Sequence, residues 1–285
     1  MGIITTNITE DNFVKKDTPS YNLSVLIGAD RFSYAITGGD NSLLMLKSFQ
    51  FENGKTPASL HKSVQDVFIE DSTLSLPYNK VIVGLSNHVM TLVPDHLYDA
   101  ENTQVYLEAQ TDQLNNKTIR MNEMKSLGAK NIYAFDKEVL ILIKGYLPNA
   151  HFFHASSAFI EGAIRTAPPE GTSKIYLNIY ASLIQIVLMN GSKLIFSNSF
   201  SFLSAKDMLY YVMLVFDQFK LSSKEIQVVL SGHIVLDSEI YRALYKYVKN
   251  IEFNNTPPSI NLGNKISETT PYFFFDLFSL RLCES

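Results

Sequence analysis

Two stretches of this chain share one layout: Leu23–Phe51 (LSVLIGADRFSYAITGGDNSLLMLKSFQF) and Ile175–Phe202 (IYLNIYASLIQIVLMNGSKLIFSNSFSF). Each reads as an apolar strand, a second strand, a glycine-containing turn and a third strand. With Ala29 set on Ala181, an offset of 152 residues, Phe32 falls on Ile184, Tyr34 on Ile186 and Ile36 on Leu188. Ser48-Phe49-Gln50-Phe51 then meets Ser199-Phe200-Ser201-Phe202 at an offset of 151, so one residue is lost between Gly38-Gly39-Asp40 and Asn190-Gly191. A meander repeated at this distance implies two copies of one unit, each with a core of its own. At 285 residues the chain is long enough for both.

The pattern after each meander also repeats. In the first copy Pro57 opens a helix at its favoured first turn, with Leu60, Val64, Val67 and Phe68 at helical spacing. Lys80–Leu85 follows as a strand, then His88–Val93 as another, ended by Pro94. In the second copy a helix over Ala205–Phe219 leads to a strand over Ile226–Leu230, the turn Ser231-Gly232 and a helix over Ser238–Val248. Between them lies material with no counterpart. It comprises a polar helix over Ala100–Leu114, strands over Thr118–Lys125 and Asn131–Phe135, and a helix over Lys137–Tyr146 stopped by Pro148. A short strand over Ala150–His154 and a helix over Ser156–Ile164 complete this part. Thr166–Ser173, with Pro168-Pro169-Glu170-Gly171, reads as the linker. Asn254–Pro258 reads as a loop, and Tyr272–Phe278 (YFFFDLF) as a buried closing strand or helix, with an exposed partner-binding segment as the alternative. The expected organisation is an extended or disordered start over 1–20, a first lobe over 21–165 with an inserted subdomain at about 98–150, and a second lobe over 166–285.

Composition narrows the functional classes. A formal charge of −4, with no run of Lys and Arg among aromatics, argues against nucleic acid as the partner. Cys283 is the only cysteine, which excludes an intramolecular disulfide and a cysteine-rich metal site. Met1–Asp17 has no apolar stretch of the kind a signal peptide needs, and no run approaches the roughly 20 apolar residues that span a bilayer. Met1-Gly2-Ile3-Ile4-Thr5-Thr6 fits the myristoylation pattern, but a polar tail is the simpler reading. The expectation is a cytoplasmic protein without a transmembrane segment.

Two βββαβ copies, the first enlarged by an insertion, resemble the actin-like ATPase fold shared by actin, Hsp70 and sugar kinases. This is a duplicated α/β architecture of the ribonuclease H-like kind. Within it the chain looks most like the pilus M and secretion L proteins, in which a strand leads to a second ending in Val-Pro, as Lys80–Pro94 does here. It also resembles an uncharacterised Bacteroidetes family assigned to this fold. The resemblance implies a nucleotide cleft between two similar lobes, with a D-x-G at the first hairpin of each. There the glycine admits phosphate to backbone amides and the Asp positions a metal.

This sequence departs from that pattern. The first motif falls on Leu26-Ile27-Gly28, so Gly28 is kept in type and leucine stands where the Asp belongs. Asp30, two residues on, is the one rescue candidate, and a turn residue bonding its own backbone is the plainer reading. The second motif falls on Asn178-Ile179-Tyr180, which offers an uncharged amide and puts a ring where glycine is needed. The adenosine-side signature, a strand followed by glycines and a small residue, falls on Val228-Val229-Leu230-Ser231-Gly232-His233. Ser231 is small enough to admit a base and His233 could stack on one, although a strand-to-helix turn asks for glycine anyway. Gly84-Leu85-Ser86-Asn87 in the first copy has the same look.

Other chemistries have less support. His151 and His154 lie three apart, which on a helix would suit a metal, but HFFH reads equally as a strand that points them to opposite faces. Asp95, Asp99 and Glu101 are explained as helix N-terminal residues. The resulting expectation is a non-catalytic actin-like-fold protein serving as a protein-binding or assembly module, with a protein partner or a homodimer and no required cofactor. A divergent ATPase or kinase holding ATP through Gly28, Asp30, Asn178, Ser231, Gly232 and His233 is the alternative, and a small-molecule sensor is the third.

Overall fold

The computed structural model describes residues 2–51, 56–112, 114–180, 182–254 and 260–284. The chain divides into two units: one of 1–158, 258–269 and 277–285, the other of 159–257 and 270–276.

The first unit is built on a six-stranded sheet. Its strands are β1 (Gly2–Thr9), β2 (Asn22–Ile27), β3 (Arg31–Thr37), β4 (Leu43–Phe51) and β5 (Lys80–Leu85), joined later by β9 (His151–His154). Their order is β1-β4-β3-β2-β5-β9, with β2, β3 and β4 an antiparallel meander and β2, β5 and β9 parallel. β2 and β3 are buried along their whole length, as internal strands of near-continuous apolar sequence should be. On one face Leu23, Val25, Ile27, Phe32 and Tyr34 pack under helix α1 (Pro57–Glu70) and helix α3 (Lys137–Tyr146). Thr56 caps α1 in a reciprocal pair with Ser59, and Pro57 sits in the first turn as its fixed φ favours.

Tyr34 reaches the end of α1, where its hydroxyl donates to Asp71 Oδ2 at 2.8 Å. Lys47 pairs with the same oxygen at 2.9 Å. Burial works against the Asp71 charge, but Lys47, Tyr34 and Thr73 outweigh it and hold the carboxyl below its ordinary range. Burial, and then the Asp71 charge, push the Tyr34 phenol up.

Between β5 and β9 lies a three-stranded antiparallel sheet in the order β6-β8-β7, from β6 (Met90–Pro94), β7 (Lys117–Met124) and β8 (Ala129–Asp136). The helix expected over Ala100–Leu114 is a single turn, α2 (Val105–Glu108). The capping carboxyl of Asp99 starts a 3-10 turn instead, and the Thr103 hydroxyl takes the Ala100 carbonyl, so local side-chain bonds compete with the helix. In the turn at Gly38-Gly39 neither glycine is left-handed; Asn41 takes the positive φ, at 65°. Asn tolerates that region and its neighbour Asp40 accepts from the Ser42 amide.

The second unit repeats the first. Its five-stranded sheet runs β12-β11-β10-β13-β14, from β10 (Ser173–Tyr180), β11 (Leu183–Asn190), β12 (Lys193–Ser201), β13 (Gln227–Gly232) and β14 (Asn250–Phe253). That is the order β4-β3-β2-β5-β9 over again, with the same mixture of directions. Ile175, Leu177, Ile184 and Ile186 form the core with α5 (Ala205–Gln218) and α6 (Glu239–Tyr245). Element boundaries shift from those expected from sequence. α6 starts after Ser238, whose hydroxyl caps it. Ser231 and Gly232 are strand residues, because β13 stays in register with Asn178 and Ile179.

The N-terminal stretch, expected extended or disordered, is β1, laid antiparallel on β4. Helix α4 (Ala155–Arg165) leads from the first unit into the second. The C-terminal part is shared. Asn261 bridges to Ser42, and α7 (Asn264–Ser267) donates an amide to Glu10 and pairs Lys265 with Asp11 in the first unit. Residues 270–276 belong to the second unit, and 277–285 return to the first. Most of the loop expected at Asn254–Pro258 lies outside the described residues. The aromatic run Tyr272–Phe278 leads through a 3-10 turn into α8 (Phe275–Ser279) and is buried from Phe274 onward.

Candidate functional site

The strand alternation that buries Leu177 and Ile179 in the core turns Tyr176, Asn178 and Tyr180 to the other face of the sheet. There the C-terminal segment meets them. Asp276, fully buried, accepts from the Asn178 amide at 3.2 Å through Oδ2 and from the Tyr180 hydroxyl at 2.6 Å through Oδ1. The Phe273 carbonyl lies 3.2 Å from the same hydroxyl. Around it Tyr180, Phe273 and His233 pack ring against ring, with His233 5.5 Å from Tyr180 and 5.2 Å from Phe273.

Ser231 lies beside Asn178 in the parallel register. It is fully buried, and its hydroxyl accepts from Asn254 at 3.0 Å. Gly232 has φ +82°, and a Cβ there would run into the Ile179 backbone. The His233 amide donates to the Ile179 carbonyl at 2.8 Å, so this glycine is required by the close passage of β13 over β10. The structure thus gathers four of the sequence-predicted residues, Asn178, Ser231, Gly232 and His233, at one end of this sheet. Asn178 and Gln185 are register partners on β10 and β11. Asn178 Oδ1 and Gln185 Nε2 are both buried with no hydrogen-bond partner among the described residues, an orphan acceptor and an orphan donor on neighbouring strands. Sequence reading missed Gln185, Asn254 and Asp276, because only the fold brings them to Asn178 and Ser231.

The equivalent position in the first unit is apolar. Leu26 is fully buried and register-paired with Gly84. A Cβ on Gly84 would lie 2.7 Å from Leu280 and 2.8 Å from Leu26, so glycine makes room for the C-terminal Leu280. Gly28 and Asp30 sit together in the tight β2–β3 turn, where the Gly28 amide donates to the Arg31 carbonyl at 2.9 Å. A side chain at Gly28 would meet nothing closer than 3.6 Å, so neither conformation nor space requires glycine. Asp30 is half-buried, and its backbone carbonyl accepts from the Phe51 amide at 2.7 Å.

A second buried polar cluster lies in the first unit. His154 Nδ1 is 2.6 Å from Ser156 Oγ, and the Asn131 amide donates to Ser156 and Ser157 at 2.7 and 2.8 Å. This has the donor–acceptor order of a nucleophile and base, yet His154 and Ser156 are each 1% exposed. Burial pushes the imidazole down to about 3, so it is neutral and serves as a hydrogen-bonding group. His151, on the same short strand, is exposed on the opposite face, as strand geometry dictates. Among the described residues no three His, Cys, Asp or Glu side chains gather into a metal site, and no helix is long and apolar enough to cross a membrane.

Comparison with solved structures gives the same fold by an independent route. A Bacteroides thetaiotaomicron protein, described as having an actin-like ATPase fold and unknown function, superposes with a TM-score of 0.77 at 21% identity. The match covers 87% of this chain and 95% of that one. A chain of the PilM-PilN type IV pilus biogenesis complex matches at 0.60 and 17% identity, covering 93% and 99%. The ethanolamine utilization protein EutJ from Carboxydothermus hydrogenoformans matches at 0.52 and 8%, covering 93% and 90%. At these identities the likeness shows the fold. Comparison with curated proteins finds no match. A family described as "Protein of unknown function (DUF3822)" matches residues 10–251, and this chain, an actin-like ATPase fold of two repeated units, belongs to that family.

Proposed function

We propose that this chain is a non-catalytic actin-like-fold protein that works as a protein-binding or assembly module. One observation carries the reading. Leu26 and Asn178, which the resemblance sets at the two aspartate positions of phosphate-handling members, are both buried, and the chain's own Leu280 and Asp276 sit against them. Leucine offers no ligand to a metal, and a neutral amide already bonded to an internal carboxyl is a poor replacement for a carboxylate. With the catalytic groups gone, what the fold still offers is surface. Fold does not carry function by itself, so the neighbouring PilM-PilN complex lends this only the precedent of a protein partner.

The test is a thermal-shift titration of the full chain with ATP and ADP, with and without Mg²⁺. No shift at millimolar nucleotide is the expected result. A Mg²⁺-dependent rise, worth about 2.7 kcal/mol at a hundredfold excess over Kd, would overturn the reading and make Asp30→Ala the first variant of an ATPase assay.

A further inference from the structure

The two sheets are copies, but their outer edges are treated differently. β4 and β12 correspond in the repeat, and both end in Ser-Phe-x-Phe at Ser48–Phe51 and Ser199–Phe202. β4 is covered by β1, whose Ile4 pairs with Phe49, Thr6 with Ser48 and Ile8 with Leu46. Among the described residues β12 pairs with β11 alone.

Hydrogen-bond alternation tells which groups of β12 face outward. The Phe202 amide donates to Ser182 on the β11 side, and the register is unbroken from Ser197 to Ser201. Backbone groups in an antiparallel strand alternate in direction, so those of Ser197, Ser199 and Ser201 point away from the sheet. The first unit runs the same way. Phe51 donates toward β3, while the Ser48 carbonyl faces β1 and accepts from the Thr5 hydroxyl at 3.3 Å. On the uncovered edge the Ser199 amide is capped by the neighbouring Asn198 side chain at 2.8 Å, a local contact that an incoming carbonyl can replace.

Natural edge strands are usually guarded by lysine, proline or inward charge. β12 carries one lysine, Lys193 at its start beside the turn, and the ten residues that follow, Leu194 to Leu203, have no charge and no proline. Its margin is apolar. Leu203 is 97% exposed and Tyr210 on α5 is 62% exposed. Tyr210 packs on Tyr211, which stacks on Phe200 of β12 at 4.5 Å. β1, the strand that covers the equivalent edge, is likewise uncharged and rich in Ile and Thr (GIITTNIT).

We propose that the outer edge of β12 is a strand-addition site, which receives an extended, uncharged, Ile/Thr-rich segment of a partner protein antiparallel to β12, as β4 receives β1. Main-chain bonds to Ser197, Ser199 and Ser201 supply the pairing, and Leu203 and Tyr210 supply an apolar margin. The occupant is assigned to a partner because β1 of this chain is already spent on β4. The inference builds on the reading of the chain as a binding module, naming the surface and the chemistry of its partner.

The test uses the full chain and a fluorescent peptide of the β1 sequence, GIITTNIT, titrated to about 1 mM and followed by anisotropy. Ser199→Pro removes one outward amide and leaves the β11 ladder alone, so it should melt with the wild type and bind the peptide about tenfold more weakly. A peptide with Lys at alternate positions should also bind more weakly. No binding by the wild type, or equal binding by Ser199→Pro at equal thermal stability, would overturn the proposal. So would a concentration-dependent dimer that Ser199→Pro dissolves, since the edge would then belong to a second copy. Nucleotide-induced stabilisation alongside edge-dependent peptide binding would remove the non-catalytic reading and leave this site standing.

Discussion

Tyr180 and Asp276, 96 residues apart in the chain, are joined by a 2.6 Å hydrogen bond inside the second unit. The bond ties the C-terminal segment to the end of β10. A carboxyl without solvent is tolerable only while its donors stay in place.

Tyr180→Phe should therefore lower stability by about 1–3 kcal/mol, read as a shift in the urea midpoint. In a cycle with Asp276→Leu, the coupling should be on the order of 1 kcal/mol. Additive effects would mean that the two side chains merely lie close together.

Gln185 makes the opposite prediction. Its buried amide donor has no partner among the described residues, so Gln185→Leu should leave stability unchanged or raise it. A loss beyond about 1 kcal/mol would show that the amide is satisfied in solution by a water or a ligand between Gln185 and Asn178.

Two glycines separate conformational need from turn composition. Gly232→Ala places a Cβ into the Ile179 backbone at φ +82°, and should cost upward of about 3 kcal/mol or abolish soluble expression. Gly39→Ala meets no atom within 4 Å and requires no left-handed backbone, so its melting curve should overlay the wild type. A mild effect at Gly232 would contradict the close passage of β13 over β10.

The acid dependence of stability should follow His154. Its folded value, about 3, lies below the ordinary 6.5, so between those limits the unfolded chain binds more protons. Stability from this group is complete above about pH 6.5 and falls as the pH drops toward 3, on the order of 1.4 kcal/mol per unit. His88 is lowered too, by burial and by Lys117, and adds in the same direction. Asp71 contributes at lower pH, where protonation breaks its bonds to Lys47 and Tyr34. Urea melts at pH 7.5, 6 and 5 should show a declining midpoint that His154→Asn flattens. An equal slope in the variant would place the dependence elsewhere.

The duplicated meander is legible in residue order alone, because each strand's apolar alternation and each helix's spacing are local patterns written in neighbouring residues. The offsets near 152 place β2, β3 and β4 on β10, β11 and β12, and Leu26 on Asn178. Three things were decided only by tertiary structure, because each depends on which distant strand or segment supplies a partner. Ser231 and Gly232 became strand rather than turn once β13 paired with Asn178 and Ile179. Residues 2–9 became β1 through a ladder with β4, since a polar, β-branched stretch has no periodicity that dictates its state alone. Asp276 joined Asn178 and Tyr180 across nearly a hundred residues, a contact set by the path of the C-terminal segment, which leaves no trace in local pattern.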